Sequence, residues 1–557
     1  MMMKNLLFPF GLFLLCLSFI LAGCSSGLPS PDIKSLDIES PDIESPDIEP
    51  ADIEQESVEQ ESIESESVES ALPTYPPLFA TWNLAEGEKP KLLLFLTGFL
   101  EGYIEPCGCA GIGQMKGGLG RRHSALQMLE RKDWNVMPID AGNLNKGFGL
   151  QEELKFNFVI DEAYRLMRYQ AVGLGSREIL FPTDTLYLYS VDVPGNPKLY
   201  TSANVALYDF SEDNVAPFRI LEQAGLRVGV VSVLGDSLRQ NLDNDDIVSE
   251  NVAAKIQKVL PKLTQCDQKI LIIHGSDNEV NELIEAFANQ FEFIVPGNTV
   301  AEPPIQPKKA GNTMIVEVGK QGRYAIAIGL FASQEPASKE PLSNETVSHQ
   351  TQRLSALYER IPLDGRFDNS PTILELMKIY QEQLRESGLE GLGIRPIPNS
   401  RRETHGGYVG TQSCSDCHDT ATQIWRQSGH ARAWQSLKET AIPPRNYDPE
   451  CIACHVVGWN VSVLLPYQGG FLNERDTPRL VNVGCEACHG PGERHVDAEK
   501  GADRTLQTRL RAVMRLPIEE HTAQRHCITC HDGDNSPDFD FNSYWEKIKH
   551  EEENLFQ

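Results

Sequence analysis

Eight of the thirteen cysteines fall in four Cys-x-x-Cys-His motifs: Cys414/Cys417/His418, Cys451/Cys454/His455, Cys485/Cys488/His489 and Cys527/Cys530/His531. This spacing suits covalent haem attachment, in which two thiols add to the porphyrin vinyl groups and the adjacent histidine reaches the iron. A zinc ribbon needs no histidine directly after each pair, and a redox dithiol needs only one pair. Four motifs within 118 residues therefore predict four c-type haems. Each iron has a second axial position. Between Gly406 and Gln557 there is one methionine, Met514, but five histidines outside the motifs: His430, His495, His521, His526 and His550, with His405 just before. That supply favours bis-histidine haems, which lack the potential-raising effect of methionine, and hence low-potential electron transfer.

A second cluster lies nearer the N-terminus. Glu105-Pro106-Cys107-Gly108-Cys109 follows a predicted strand, and the intervening glycine permits a turn in which both sulfurs converge. With His274, two thiolates can hold a soft or borderline metal. With Cys266, either can instead close a disulfide in an oxidising compartment. Both readings stay open. The elements that must position these groups alternate apolar strands with helical runs from Lys91 to about Phe331, an α/β layered pattern. Strands are predicted at Leu92–Thr97, Val136–Asp140, Val228–Val233, Lys269–His274, Phe293–Val295 and Met314–Val318, and helices at Arg122–Leu129 and Val252–Leu263. A helical connector is expected over 334–405, with helical periodicity in Gln352–Ile361 and Thr372–Ser387.

Ahead of these domains the chain reads as an address and a tether. Residues 1–23 carry an early Lys4 and an apolar run from Leu6 to Ala22, the pattern of an export signal. The run ends Leu21-Ala22-Gly23-Cys24, which resembles a bacterial lipobox and implies lipidation of Cys24, hence an exported, lipid-anchored protein in the periplasm or outer membrane. Residues 31–70 hold fifteen Asp and Glu against one Lys, including the repeat Ser-Pro-Asp-Ile-Glu. Such dense like charge with little apolar content predicts a disordered acidic tether over 24–88. The net charge of −29 argues against a nucleic-acid partner.

Two family resemblances extend these readings. Gly429-His430-Ala431-Arg432-Ala433, Cys454-His455-Val456-Val457-Gly458-Trp459 and Val483-Gly484-Cys485-Glu486-Ala487-Cys488-His489-Gly490-Pro491-Gly492 resemble the cytochrome c-554 and c-prime family of tetrahaem proteins. The resemblance covers 406–557 and implies a mainly α and irregular multihaem domain that works with redox partner proteins. It also implies distal ligands at His430, His495 and His550 and an open haem on the second motif, with His521 and His526 as substitutes. Over 89–333, Asp140-Ala141-Gly142-Asn143, Gly175-Ser176-Arg177-Glu178 and Ser202-Ala203-Asn204-Val205 resemble the metallophosphatase domain of the 5′-nucleotidase family. That implies a metallophosphatase-like α/β sandwich. Its metal chemistry needs Asp, Asn and His at strand ends. Here Thr97-Gly98-Phe99, Gly142-Asn143, Gly175-Ser176-Arg177 and Gly297-Asn298-Thr299 stand in those places, and only His274 keeps a possible ligand. A catalytically degenerate sandwich fused to a tetrahaem electron carrier is the expectation, with a multihaem reductase or residual phosphoesterase as alternatives.

Overall fold

The computed structural model describes residues 75–106, 115–147, 149–190, 198–211, 214–239, 244–297, 300–332, 354–516, 521–533, 535–536 and 538–550. The expected export signal, Cys24, the acidic repeats, Cys107 and Cys109 lie outside the described residues.

Two six-stranded mixed sheets form the first half. The strands are β1 (Leu92–Thr97), β2 (Val136–Asp140), β3 (Ala171–Gly173), β4 (Tyr200–Thr201), β5 (Val205–Leu207), β6 (Arg219–Gln223) and β7 (Leu226–Leu234). They continue as β8 (Ile247–Ser249), β9 (Gln268–His274), β10 (Phe293–Pro296), β11 (Lys308–Ala310), β12 (Thr313–Ile315), β13 (Tyr324–Ala332) and β14 (Leu354–Pro362). One sheet runs β14-β13-β1-β2-β3-β4 and the other β11-β12-β10-β9-β7-β6. In each, four neighbouring strands are parallel: β1 to β4, and β12, β10, β9 and β7.

The side-chain period of two explains the layering. Leu92, Leu94 and Leu96 of β1 meet Val228, Val230, Ile270 and Ile272 between the sheets. The alternate residues Leu93 and Phe95 face the opposite way, into a cluster with Leu126 and Leu129 of the helix Leu119–Arg131. Val231, Val233, Leu271 and Ile273 pack with Ile256, Val280 and Phe287 from the helices Val252–Val259 and Asp277–Phe287. Strands covered on both faces read as continuous apolar runs, which is why β1 is Leu-Leu-Leu-Phe-Leu-Thr. The expected α/β sandwich is present.

Two expectations are corrected. The stretch 354–361, expected to be helical, is strand β14, paired antiparallel with β13 from Leu354 to Pro362. The helical part of the connector is Pro371–Gly391, which covers the other predicted run. Within 75–88, assigned to the tether, the chain packs through two anchors: Phe79 and Trp82 are buried, Trp82 stacks on Trp134 with ring centres 5.9 Å apart, and its Nε1 donates to the Tyr358 carbonyl. Apolar area removed from water outweighs the acidic context there.

The C-terminal segment joins the sandwich in one compact unit. It is short helices and turns around a small core of Trp434, Leu437, Ile452, Val457, Trp459 and Phe471, matching the mainly helical and irregular expectation. No helix among the described residues is long and apolar enough to cross a membrane.

Candidate functional site

Each Cys-x-x-Cys-His motif lies in or beside a short helix. The second ends the helix Pro449–His455, the third fills Cys485–His489, the first overlaps Thr411–Ser415, and the fourth begins at the end of Thr522–Cys527. One helical turn brings the two cysteines and the histidine of a motif towards one side. The chain then pairs histidines across motifs. His418 faces His495 with ring centres 6.2 Å apart, His531 faces His430 at 6.0 Å, and His489 faces His550 at 5.8 Å. Two imidazoles bonded to one metal from opposite sides at about 2 Å each put their ring centres roughly 6 Å apart. These three pairs therefore fit a shared iron.

The opposite ring nitrogen is held in three of the four motifs. Nδ1 of His455 lies 2.6 Å from the Ala433 carbonyl, Nδ1 of His489 2.6 Å from the Met514 carbonyl, and Nδ1 of His531 2.8 Å from Ser536 Oγ. A carbonyl partner fixes the proton on Nδ1 and leaves the Nε2 lone pair for a metal. Burial pushes the pKa of His430, His455, His489, His495 and His531 down, towards the neutral form that coordinates. The remaining histidines are committed elsewhere or open to solvent. His526 Nε2 lies 2.9 Å from the Ala487 carbonyl, His405 Nδ1 lies 2.6 Å from Thr404 Oγ1, and His521 is exposed.

The motifs also adjoin one another. Cys414 lies next to Cys485, Cys454 lies next to Cys530, and Cys488 is within electrostatic range of Cys527 and Cys530. The spatial order is thus first, third, fourth, second. Glu486, 3% exposed, ties the first and third together: its carboxylate accepts the N–H groups of Val409, Gly410 and Gly492 at 2.7–2.9 Å.

The strand-end pocket of the sandwich is built differently. His274 closes β9, 1% exposed, with Nε2 2.6 Å from the Ala141 carbonyl just past β2. Burial pushes its pKa down to about 4, against that hydrogen bond. Asn143, just past the end of β2, accepts the Arg177 N–H at 3.0 Å and the Ser176 hydroxyl at 3.4 Å. Glu178 accepts the N–H groups of Asn143, Leu144 and Gly175. The polar groups at these strand ends bind each other and the backbone. Behind them Asp140, wholly buried, takes the Thr97 and Tyr164 hydroxyls and lies 3.5 Å from Arg122 Nη1.

Cys266 and His274 sit at opposite ends of β9, eight residues and about 26 Å apart at the usual strand rise. No single site takes both. Cys266 is buried against Leu263 and Val231 in the outer core and has no disulfide partner among the described residues. The described residues contain no cluster of three or more His, Cys, Asp or Glu disposed to hold a metal.

One constellation has no counterpart in the sequence reading. Lys155, 1% exposed, donates to Glu450 at 2.9 Å and to Glu152 at 2.8 Å, and Lys146 reaches the other Glu450 oxygen at 3.3 Å. Burial alone lowers the Lys155 pKa, but Glu450 and Glu152 outweigh it and hold it well above the ordinary value. Glu450 is held at about 2 by Lys155 and Lys146, against burial. Gln151 and Gln381 both donate to Asp448, and Arg445 pairs with Glu105. The residues are spread over four regions of the chain, so no local pattern announces them.

Comparison with known proteins places the C-terminal segment. Residues 413–490 match the family cytochrome c554 and c-prime, which implies covalently held c-type haem. An alignment of 140 residues is 29% identical to cytochrome c-554 of Nitrosomonas europaea and covers 22% of this chain and 57% of that protein. The chain thus spans little more than half the length of this relative. Among solved structures, a 5′-nucleotidase precursor from Thermus thermophilus is similar at TM-score 0.42 and 17% identity, over 53% of this chain and 59% of that one. The sulfate thiohydrolase SoxB of the same species gives 0.42 and 10%, over 54% and 62%. The calcineurin-like phosphoesterase YfkN from Bacillus subtilis gives 0.39 and 15%, over 52% and 97%.

Proposed function

We propose that this chain, whose residues 413–490 match the cytochrome c554 and c-prime family, is an exported, lipid-anchored electron carrier with four covalent haems. Its α/β sandwich has no two-metal phosphoesterase activity. The observation that supports the carrier best is the set of three cross-motif imidazole pairs with ring centres 5.8–6.2 Å apart. His418, His455, His489 and His531 are the proximal ligands; His495, His550 and His430 are the distal ligands on the first, third and fourth haems. When bound, each haem supplies a one-electron couple, and paired histidines keep its potential low. The protein's part is to hold the imidazoles of His455, His489 and His531 by their far nitrogens and to set the motifs in the order first, third, fourth, second. That order suits a relay between two redox partner proteins. The Leu-Ala-Gly-Cys24 run supports lipid attachment and export.

Intact-mass spectrometry of protein matured in a haem-ligating host tests this directly. Four haem increments and a lipid on Cys24 are expected, and fewer than four haems overturns the count. A second reading, a reductase with a small-molecule site on the second haem, is favoured by the placement of His521 in solvent and His526 on the Ala487 carbonyl. Electron paramagnetic resonance separates the two. One high-spin ferric signal, together with a carbon monoxide shift of about a quarter of the reduced Soret band, supports the reductase, whereas four low-spin signals with no carbon monoxide response leave a pure carrier.

A further inference from the structure

The helix Pro449–His455 is anchored in the sandwich before it reaches its haem motif. Asp448 caps it, accepting the Glu450 N–H at 3.0 Å, and the same carboxylate takes Gln151 Nε2 at 3.0 Å and Gln381 Nε2 at 3.2 Å. Gln151 belongs to the helix Leu150–Lys155 and Gln381 to Pro371–Gly391, both outside the cytochrome segment. Glu450 follows, clamped by Lys155 at 2.9 Å and Lys146 at 3.3 Å, and Cys451 is the next residue. On the near side of the same turn, Arg445 pairs with Glu105, which continues the loop after β1.

The other three motifs are held within the cytochrome segment. Val409 and Gly410, ahead of Cys414, donate to Glu486; the Cys485 N–H reaches Thr411 Oγ1 at 3.4 Å; His526, ahead of Cys527, lies on the Ala487 carbonyl. The second motif is also the end of the spatial order, with Cys454 next to Cys530 of the fourth. Among the described residues, a buried ammonium therefore clamps the neighbour of the covalent tether of one terminal haem and of no other. Fixed charge in a low-dielectric surround is a lever on haem potential.

We propose that Lys155 of the sandwich is a positioning residue for the second haem, clamping Glu450 beside Cys451 and setting that haem's potential apart from the other three. This rests on the four-haem reading above. The sandwich thereby acts as a resident partner of one haem, and its loss of metal ligands leaves this role untouched, because the clamp lies on helices and not at strand ends.

The charges predict opposite shifts. Lys155→Met removes a positive charge beside an anion and favours the ferric state. Glu450→Gln removes the negative charge, while Lys155 keeps Glu152, and favours the ferrous state. Redox titration of the full holoprotein, followed in the visible bands, reads both. Expected are a tenfold fall in the reduced-to-oxidised ratio of one component for Lys155→Met and a rise for Glu450→Gln. Tenfold corresponds to about 59 mV for a one-electron couple. Lys155→Arg keeps the wild-type value, and the double variant Lys155→Met with Glu450→Gln returns towards it. If Lys155→Met does not fold, Glu450→Gln alone decides. Unmoved potentials, or an even shift across all four components, overturn the proposal. Haem count by intact mass in the same preparations separates the two readings: four haems with unmoved potentials sinks only this inference, and an empty second motif sinks both.

Discussion

The sandwich puts Leu92, Leu94, Val228 and Ile270 between its sheets with no exposed surface, and its polar residues of interest stand at strand ends outside those layers. The cytochrome segment has one small apolar cluster, and its motif cysteines are half-buried or, at Cys417, exposed. In the first region the core is separate from the polar groups at the strand ends, where Asn143, Ser176 and Arg177 bind one another outside both sheets. In the second the apolar cluster is small and the motif cysteines lie around it rather than in it, so bound haem would have to supply much of the packing. A region whose cofactor is peripheral can lose it and keep its fold; a region whose cofactor is the core cannot.

The largest test of that contrast is to withhold haem. With the eight motif cysteines changed to alanine, amide exchange protection over 406–550 is expected to fall to about 0 kcal/mol, while the sandwich strands keep theirs. Comparable protection in both regions would erase the distinction. Within the sandwich the greatest single loss is expected from the buried pair. Asp140→Ala leaves Arg122 without its carboxylate and should cost about 3–5 kcal/mol in urea unfolding, with all haem spectra unchanged. Arg122→Met with Asp140→Ala should recover much of it.

A somewhat smaller effect is expected from Glu178. Burial pushes its pKa up to about 7, against its three backbone donors. The folded state therefore holds a proton that the unfolded chain releases near pH 4.5. Stability from this group is complete below about pH 4.5, declines as pH rises, and is lost above about pH 7, a change of about 3 kcal/mol. Glu178→Gln should flatten that slope in the sandwich transition, and an unaltered slope would assign it to other groups. The smallest effect is expected at His521, which is exposed. His521→Ala should change stability by less than about 0.5 kcal/mol and leave every haem signal in place. His495→Ala, by contrast, should convert one low-spin haem to high spin.

The paired helices and buried strands were legible because their periods differ and their apolar runs are long. β14 was not. Leu354, Leu357, Tyr358 and Ile361 recur at the spacing of a helical face, yet the segment extends along β13, because an open sheet edge offers a full ladder of backbone partners. The packed stretch 75–88 was hidden by the acidic repeats before it; Phe79 and Trp82 were its only signal. In the cytochrome segment the motif histidines and His430, His495 and His550 were readable, and the structure pairs each of those three with a motif histidine. Glu486 stood inside a recognised run, but its role as a collector of three N–H groups became visible only when two loops met.

The covalent chemistry was legible in the sequence alone, because two thiols and an imidazole within five residues share one turn wherever that turn is placed. The residue types at the strand ends were equally local, since a residue's donor atoms are its own. Only the tertiary structure decided that His418 meets His495, that His531 meets His430, and that the second motif ends against the sandwich. Lys155 and Glu450 are 295 residues apart, and no period or spacing relates them. Ring pairing and ion pairing depend on which surfaces burial brings within a few ångströms, and that is a property of the packed chain as a whole.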